Sequence, residues 1–156
     1  MELRRSIYKK LIQWKKENSG KVLEVSGARQ VGKTYILQKF AKEQYRQYIY
    51  INMAELSGER FIQCLNQAEN WTPGTPMKED TLHDAVCLLY PDFQDTEDTL
   101  ILIDEIQESS RVYNLIRTFS RKFSCHVIVT GSYLGRLLSK DFFLPAVILI
   151  LLQWKL

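Results

Sequence analysis

Gly27-Ala28-Arg29-Gln30-Val31-Gly32-Lys33-Thr34 matches the pattern G-x-x-x-x-G-K-[ST] at every fixed position. An apolar run, Val22-Leu23-Glu24-Val25, precedes it and a helix-like stretch from Tyr35 to Lys42 follows, which is the strand, loop and helix context that a phosphate-binding loop requires. The glycines let the backbone wrap closely around a phosphate chain, so that successive N–H groups and the positive end of the next helix face the anion. The nucleotide-binding residues expected are therefore Gly27, Ala28, Arg29, Gln30, Val31, Gly32, Lys33 and Thr34. Lys33 is expected to reach the terminal phosphates and the Thr34 hydroxyl to ligate Mg²⁺.

Working outward, Glu2 to Asn18 places Leu3, Ile7, Leu11 and Trp14 at helical spacing between lysines, an amphipathic helix that Asn18-Ser19-Gly20 ends. A first strand spans about Lys21 to Ser26, and the helix that begins at Lys33 runs to about Tyr45. Gln47-Tyr48-Ile49-Tyr50-Ile51-Asn52 is aromatic and β-branched and reads as a second strand. Two helices, about Glu59 to Glu69 and Thr81 to Leu89, flank the loop Trp71-Thr72-Pro73-Gly74-Thr75-Pro76. Pro91 to Asp98 is an acid-rich turn; its carboxylates lack the glycine and spacing of a calcium loop. Thr99 to Ile103 is continuously apolar, as a strand buried on both faces should be. A helix over Arg111 to Lys122, a fourth strand over Cys125 to Thr130 and a short helix over Tyr133 to Lys140 complete the pattern. Strands alternating with helices predict an α/β fold, with a parallel sheet, right-handed crossovers and a ligand at the carboxyl ends of the strands.

The third strand ends in Asp104-Glu105. Downstream of a phosphate-binding loop, an acid at this point has a task. Magnesium held by nucleotide phosphates needs a carboxylate, commonly through water, to complete its octahedral shell, and Asp104 is assigned that role beside Thr34. Glu105 is positioned to orient or deprotonate the attacking water. Thr130 and Ser132, at the end of the fourth strand, are candidates to touch the γ-phosphate or that water. The catalytic residues expected are thus Glu105, Lys33 and Ser132, and the cofactors ATP and Mg²⁺. Arg117, Arg121 and Arg136 are all available as a charge-stabilising arginine.

Composition limits the alternatives. A chain of 156 residues with 46% hydrophobic and 25% charged residues is one globular domain able to bury a core without disulfides or metal. The net charge of +3 is too small to argue for nucleic acid, although Arg4, Arg5, Lys9, Lys10, Lys15 and Lys16 cluster near the N-terminus. Three widely spaced cysteines with no C-x-x-C pair argue against a disulfide framework or a zinc site and for a reducing, cytoplasmic setting. His83 and His126 stand alone and read as structural or exposed. Leu144 to Leu152 is apolar but about half the length of a membrane span, so no membrane partner is expected.

Together the run from Arg5 to Trp14, the loop from Gly27 to Thr34, Leu102-Ile103-Asp104-Glu105-Ile106-Gln107 and Thr130-Gly131-Ser132-Tyr133-Leu134-Gly135 resemble the prokaryotic AAA-type P-loop ATPases, in which an ATPase domain precedes a second, often nuclease-like one. The resemblance covers about residues 1 to 146. It implies a P-loop NTPase three-layer sandwich with a parallel sheet in the order 5-1-4-3-2, and ATP binding in an open biological role. Residues 147–156, Val147 to Leu156, depart from the family, which continues here into a further strand, a helical lid and the second domain. This stretch is either a fifth strand in the expected place or the apolar tail left by a frameshift or truncation. Three functions follow: an ATPase core; a nucleotide-binding module or switch with little turnover; or a small-molecule kinase, which would need an acceptor site. Self-association or another protein are the further partners left open.

Overall fold

The computed structural model describes residues 2–17, 22–26, 33–70, 80–131 and 147–151. In chain order its elements are α1 (Glu2–Lys16), β1 (Val22–Ser26), α2 (Lys33–Gln44), β2 (Gln47–Asn52), α3 (Leu56–Glu69), α4 (Thr81–Leu89), β3 (Thr99–Asp104), a 3₁₀ turn (Ile106–Glu108), α5 (Ser110–Tyr113), α6 (Ile116–Lys122), β4 (His126–Gly131) and β5 (Val147–Leu151). The strands form one sheet in the order β2-β3-β4-β1-β5, and every pairing is parallel. This is the 5-1-4-3-2 order expected, with β5 beside β1.

Parallel strands need crossovers, and the crossover helices cover both faces, which is why β3 and β4 are buried at every position. Side chains alternate between the faces. Leu100 and Leu102 of β3, Ile128 of β4, and Leu23 and Val25 of β1 point to one side, where they meet Ile7, Leu11 and Trp14 of α1 and Ile36, Leu37, Phe40 and Ala41 of α2. Ile101, Ile103, Val127 and Val129 point to the other, against Phe61 and Leu65 of α3, Leu82, Ala85 and Val86 of α4, Val112 of α5 and Ile116 and Phe119 of α6. The result is helix layer, sheet, helix layer. Among the described residues, no helix is long and apolar enough to cross a membrane.

Some boundaries differ from the sequence expectation. The helix expected over Arg111 to Lys122 is two pieces. Ser109 caps the first by accepting the Val112 N–H at 3.2 Å, and Leu115 N–H then returns to Val112 O at 2.9 Å, a three-residue bond that tightens the turn before α6 restarts. The apolar spacing of Val112, Ile116 and Phe119 survives the break, so periodicity did not reveal it. α3 starts at Leu56, three residues before the expected Glu59, and runs through Gly58. β4 starts at His126 rather than Cys125, because the Cys125 N–H is donated to the Asp95 carboxylate at 2.8 Å instead of to a neighbouring strand. The short helix expected over Tyr133 to Lys140 lies outside the described residues, as does the loop between Trp71 and Pro76.

Both histidines are structural. His126 is buried, its Nδ1 2.6 Å from the Tyr45 hydroxyl, with Trp14 packed edge-on against its ring. Lys15 lies 4.5 Å over the Tyr45 ring and donates to Gln44 O, so the end of α1 is pinned to the end of α2. His83 packs against Phe93 and Phe123 and lies 3.5 Å from Asp95. All three cysteines are free thiols.

Candidate functional site

At the carboxyl ends of β2, β3 and β4, Tyr50, Asp104 and Thr130 fall on the face covered by α2, because each shares the parity of the residues that meet that helix: Tyr50 packs against the cluster, Leu102 precedes Asp104 by two and Ile128 precedes Thr130 by two. The first turn of α2 supplies Lys33 and Thr34. Residues distant in sequence therefore converge on one carboxylate.

Asp104 is buried, at 3% exposure. Its Oδ2 accepts from the Thr34 hydroxyl at 2.8 Å and from the Tyr50 hydroxyl at 2.8 Å. Its Oδ1 accepts from the Thr130 hydroxyl and from the Glu105 backbone N–H, the latter at 3.0 Å. A buried carboxylate is costly unless hydrogen-bonded, and here four donors meet the cost. Burial and the neighbouring Asp104 both push the Tyr50 hydroxyl pKa up, so the phenol keeps the proton that it donates. Asn52 fixes that phenol from behind: its Nδ2 donates to the Tyr50 oxygen at 3.2 Å, while its Oδ1 accepts from the Ala54 N–H at 2.9 Å.

Glu105 has φ 54° and ψ 44°, the left-handed conformation that a non-glycine residue adopts at a cost of about 1 kcal/mol. This sharp turn ends β3 and separates the two acids: Asp104 points into the cluster, whereas the Glu105 side chain is partly exposed and accepts from Gln107 Nε2.

The structure thus joins Lys33, Thr34, Asp104, Glu105 and Thr130 at one end of the sheet, with Lys33 buried at 6% exposure. Gly27 to Gly32, Ser132 and Arg136 lie outside the described residues. Arg117 and Arg121 are exposed on α6. Among the described residues no group of three or more His, Cys, Asp or Glu side chains is placed to hold a metal. The donor set that fits Mg²⁺ is instead a hydroxyl and one carboxylate, hard oxygen ligands that leave most of an octahedral shell to water and phosphate. Tyr50 and Asn52 were missed from the sequence, where they read only as strand residues. Two polar ends at alternate positions, on the strand that the 5-1-4-3-2 order sets beside β3, are the signal that marks them: Asn52 is the register partner of Asp104.

The comparisons agree with this fold. The family model described as an AAA domain matches residues 19–143. No curated protein matches the chain. Among solved structures, the Aeropyrum pernix ORC2 protein in ADPNP-ADP complexes superposes with a TM-score of 0.61 at 16% identity, covering 98% of this chain and 48% of that one. Drosophila ORC bound to DNA gives 0.58 at 14% identity, covering 99% of this chain and 91% of that one. Drosophila ORC bound to AT-rich DNA and Cdc6 gives 0.55 at 14% identity, over 98% and 54%. At these identities the likeness is one of fold, and the chain spans about half the length of two of these three structures. With the match across residues 19–143 and the parallel α/β sandwich, the chain belongs to the AAA-domain family.

Proposed function

We propose that the chain binds Mg–ATP through residues 27–34 and hydrolyses it. The observation that carries this reading is the 2.8 Å hydrogen bond between Thr34, in the first turn of α2, and Asp104, at the end of β3. That pair sets a neutral hydroxyl and a carboxylate side by side where the sequence places the end of a phosphate-binding loop. Bound magnesium would offset phosphate charge there. The chain's own groups do the rest. Lys33 supplies a positive charge for the terminal phosphates, Thr34 and Asp104 hold the oxygen atoms of the metal shell, and Glu105 accepts a proton from the attacking water. Ser132 is proposed to contact the γ-phosphate.

ADPNP and ADP occupy the Aeropyrum pernix ORC2 protein, which supports a nucleotide as ligand. The Drosophila complexes contain DNA and, in one, Cdc6; for this chain we favour self-association or a second protein, because its net charge of +3 is modest. Free thiols suit a reducing, cytoplasmic location.

Purified protein supplied with Mg–ATP is expected to release inorganic phosphate. Glu105→Gln should lower release by about 10²-fold or more while leaving nucleotide affinity within about twofold. Lys33→Ala should remove binding itself. Binding by the unaltered chain without release would make it a nucleotide-dependent binding module instead, and full affinity in Lys33→Ala would overturn the phosphate-loop assignment.

A further inference from the structure

An ionised carboxylate offers about four acceptor positions. On Asp104 all four are filled by the chain itself: Thr34 and Tyr50 on Oδ2, Thr130 and the Glu105 N–H on Oδ1. A carboxylate that serves magnesium through water must accept from that water, so one donor has to yield. Geometry selects which. The Glu105 donor is backbone, and Thr130 is fully buried at 0% exposure. Thr34 can keep its proton on Asp104 while its oxygen lone pair turns to the metal. Tyr50 shares Oδ2 with Thr34, whose hydroxyl would be the other metal ligand, and is a partly exposed side chain. Its hydroxyl is held in donor orientation by Asn52, whose amide is itself fixed by the Ala54 N–H.

We propose that Tyr50, seated by Asn52, is a latch on Asp104 whose hydroxyl occupies the acceptor position needed by a magnesium-bound water, so that loading Mg²⁺ releases Tyr50 from the carboxylate. The inference rests on the Mg–ATP reading and adds a residue that tunes metal affinity without touching nucleotide. It makes the end of β2 responsive to metal loading, since Asn52 and Tyr50 carry the change back to the turn before α3.

The test is titration of a fluorescent ADP analogue against the purified chain in EDTA and across a Mg²⁺ series. Tyr50→Phe keeps the ring and removes the donor. Its half-saturating Mg²⁺ is expected to fall about three- to tenfold, the worth of one hydrogen bond, with affinity in EDTA unchanged. Asn52→Ala, which frees the phenol, should shift it in the same direction by less. An unchanged or raised half-saturation in Tyr50→Phe overturns the latch. A second readout uses the unaltered protein: adding Mg²⁺ to the nucleotide-loaded chain should move a tyrosine absorption band to the blue as a phenol loses its carboxylate acceptor. No tyrosine shift overturns the latch even if the variants fail to fold. If the unaltered chain shows no Mg²⁺-dependent nucleotide binding, the Mg–ATP reading and the latch both fall, whereas Mg²⁺ dependence that Tyr50→Phe leaves untouched removes the latch alone.

Discussion

Glu24 sits in β1 between Leu23 and Val25, fully buried, and neither carboxylate oxygen has a hydrogen-bond partner among the described residues. Its parity puts it on the face opposite the Asp104 cluster, near Tyr113 of α5, whose hydroxyl is also buried without a partner. Among the described residues, four donors surround Asp104 and none reaches Glu24. Loss of hydration alone pushes the Glu24 pKa up from 4.5 to about 7. The sign follows from proton uptake. Above the unfolded value of 4.5 the unfolded chain releases a proton that the folded chain retains, so stability falls as pH rises through about 7. His126 acts in the reverse direction: burial lowers its pKa below 6.5, so the unfolded chain gains a proton that the folded chain refuses as pH drops below that value. Glu24→Leu should therefore stabilise the protein by about 2 kcal/mol near pH 8 and by much less near pH 5, read from urea unfolding at both pH values. Equal gains at the two pH values would show that the proton is not the cause.

Among the elements, the junction of β2 and α3 has no room for a side chain at Gly58. A Cβ on Gly58 would lie 2.5 Å from Asn52 O and 2.5 Å from Met53 Cα, both backbone atoms that cannot step aside as a flexible side chain would. Gly58 is thus required for close approach in the first turn of α3, although a glycine within a helix ordinarily costs stability. Gly58→Ala should cost about 2 kcal/mol or more in denaturant unfolding, and an unchanged midpoint would contradict the close approach. This junction also explains what the sequence concealed. The helix expected from about Glu59 in fact begins at Leu56 and includes Gly58, and the Asn52 to Tyr50 chain was invisible because each of its hydrogen bonds depends on how β2 ends. By contrast, β3 and β4 were legible almost to the residue, because strands buried on both faces write a continuous apolar run. The placement of Lys33, Thr34, Asp104 and Glu105 at one end of the sheet was legible too, because the motif spacing sets the first two at the start of α2 and the last two at the end of β3.

At the scale of the whole molecule, the strand order turns a sequence separation of 70 residues into a 2.8 Å contact between Thr34 and Asp104. β4 lies between β1 and β3, so the strand leading to residues 27–34 and the strand carrying the acid flank a third whose Thr130 completes the cluster. This arrangement follows from parallel pairing with crossovers on both faces, and it places the polar strand ends together at one edge of the sandwich. The most direct measurement is calorimetric titration of ATP into the unaltered chain and into Asp104→Asn, each with Mg²⁺ and with EDTA. Mg²⁺ is expected to tighten ATP binding about tenfold or more in the unaltered chain, and to lose most of that effect in Asp104→Asn while affinity in EDTA stays the same. An equal Mg²⁺ effect in both proteins would contradict the assignment of Asp104 and Thr34 as the metal side of the nucleotide site.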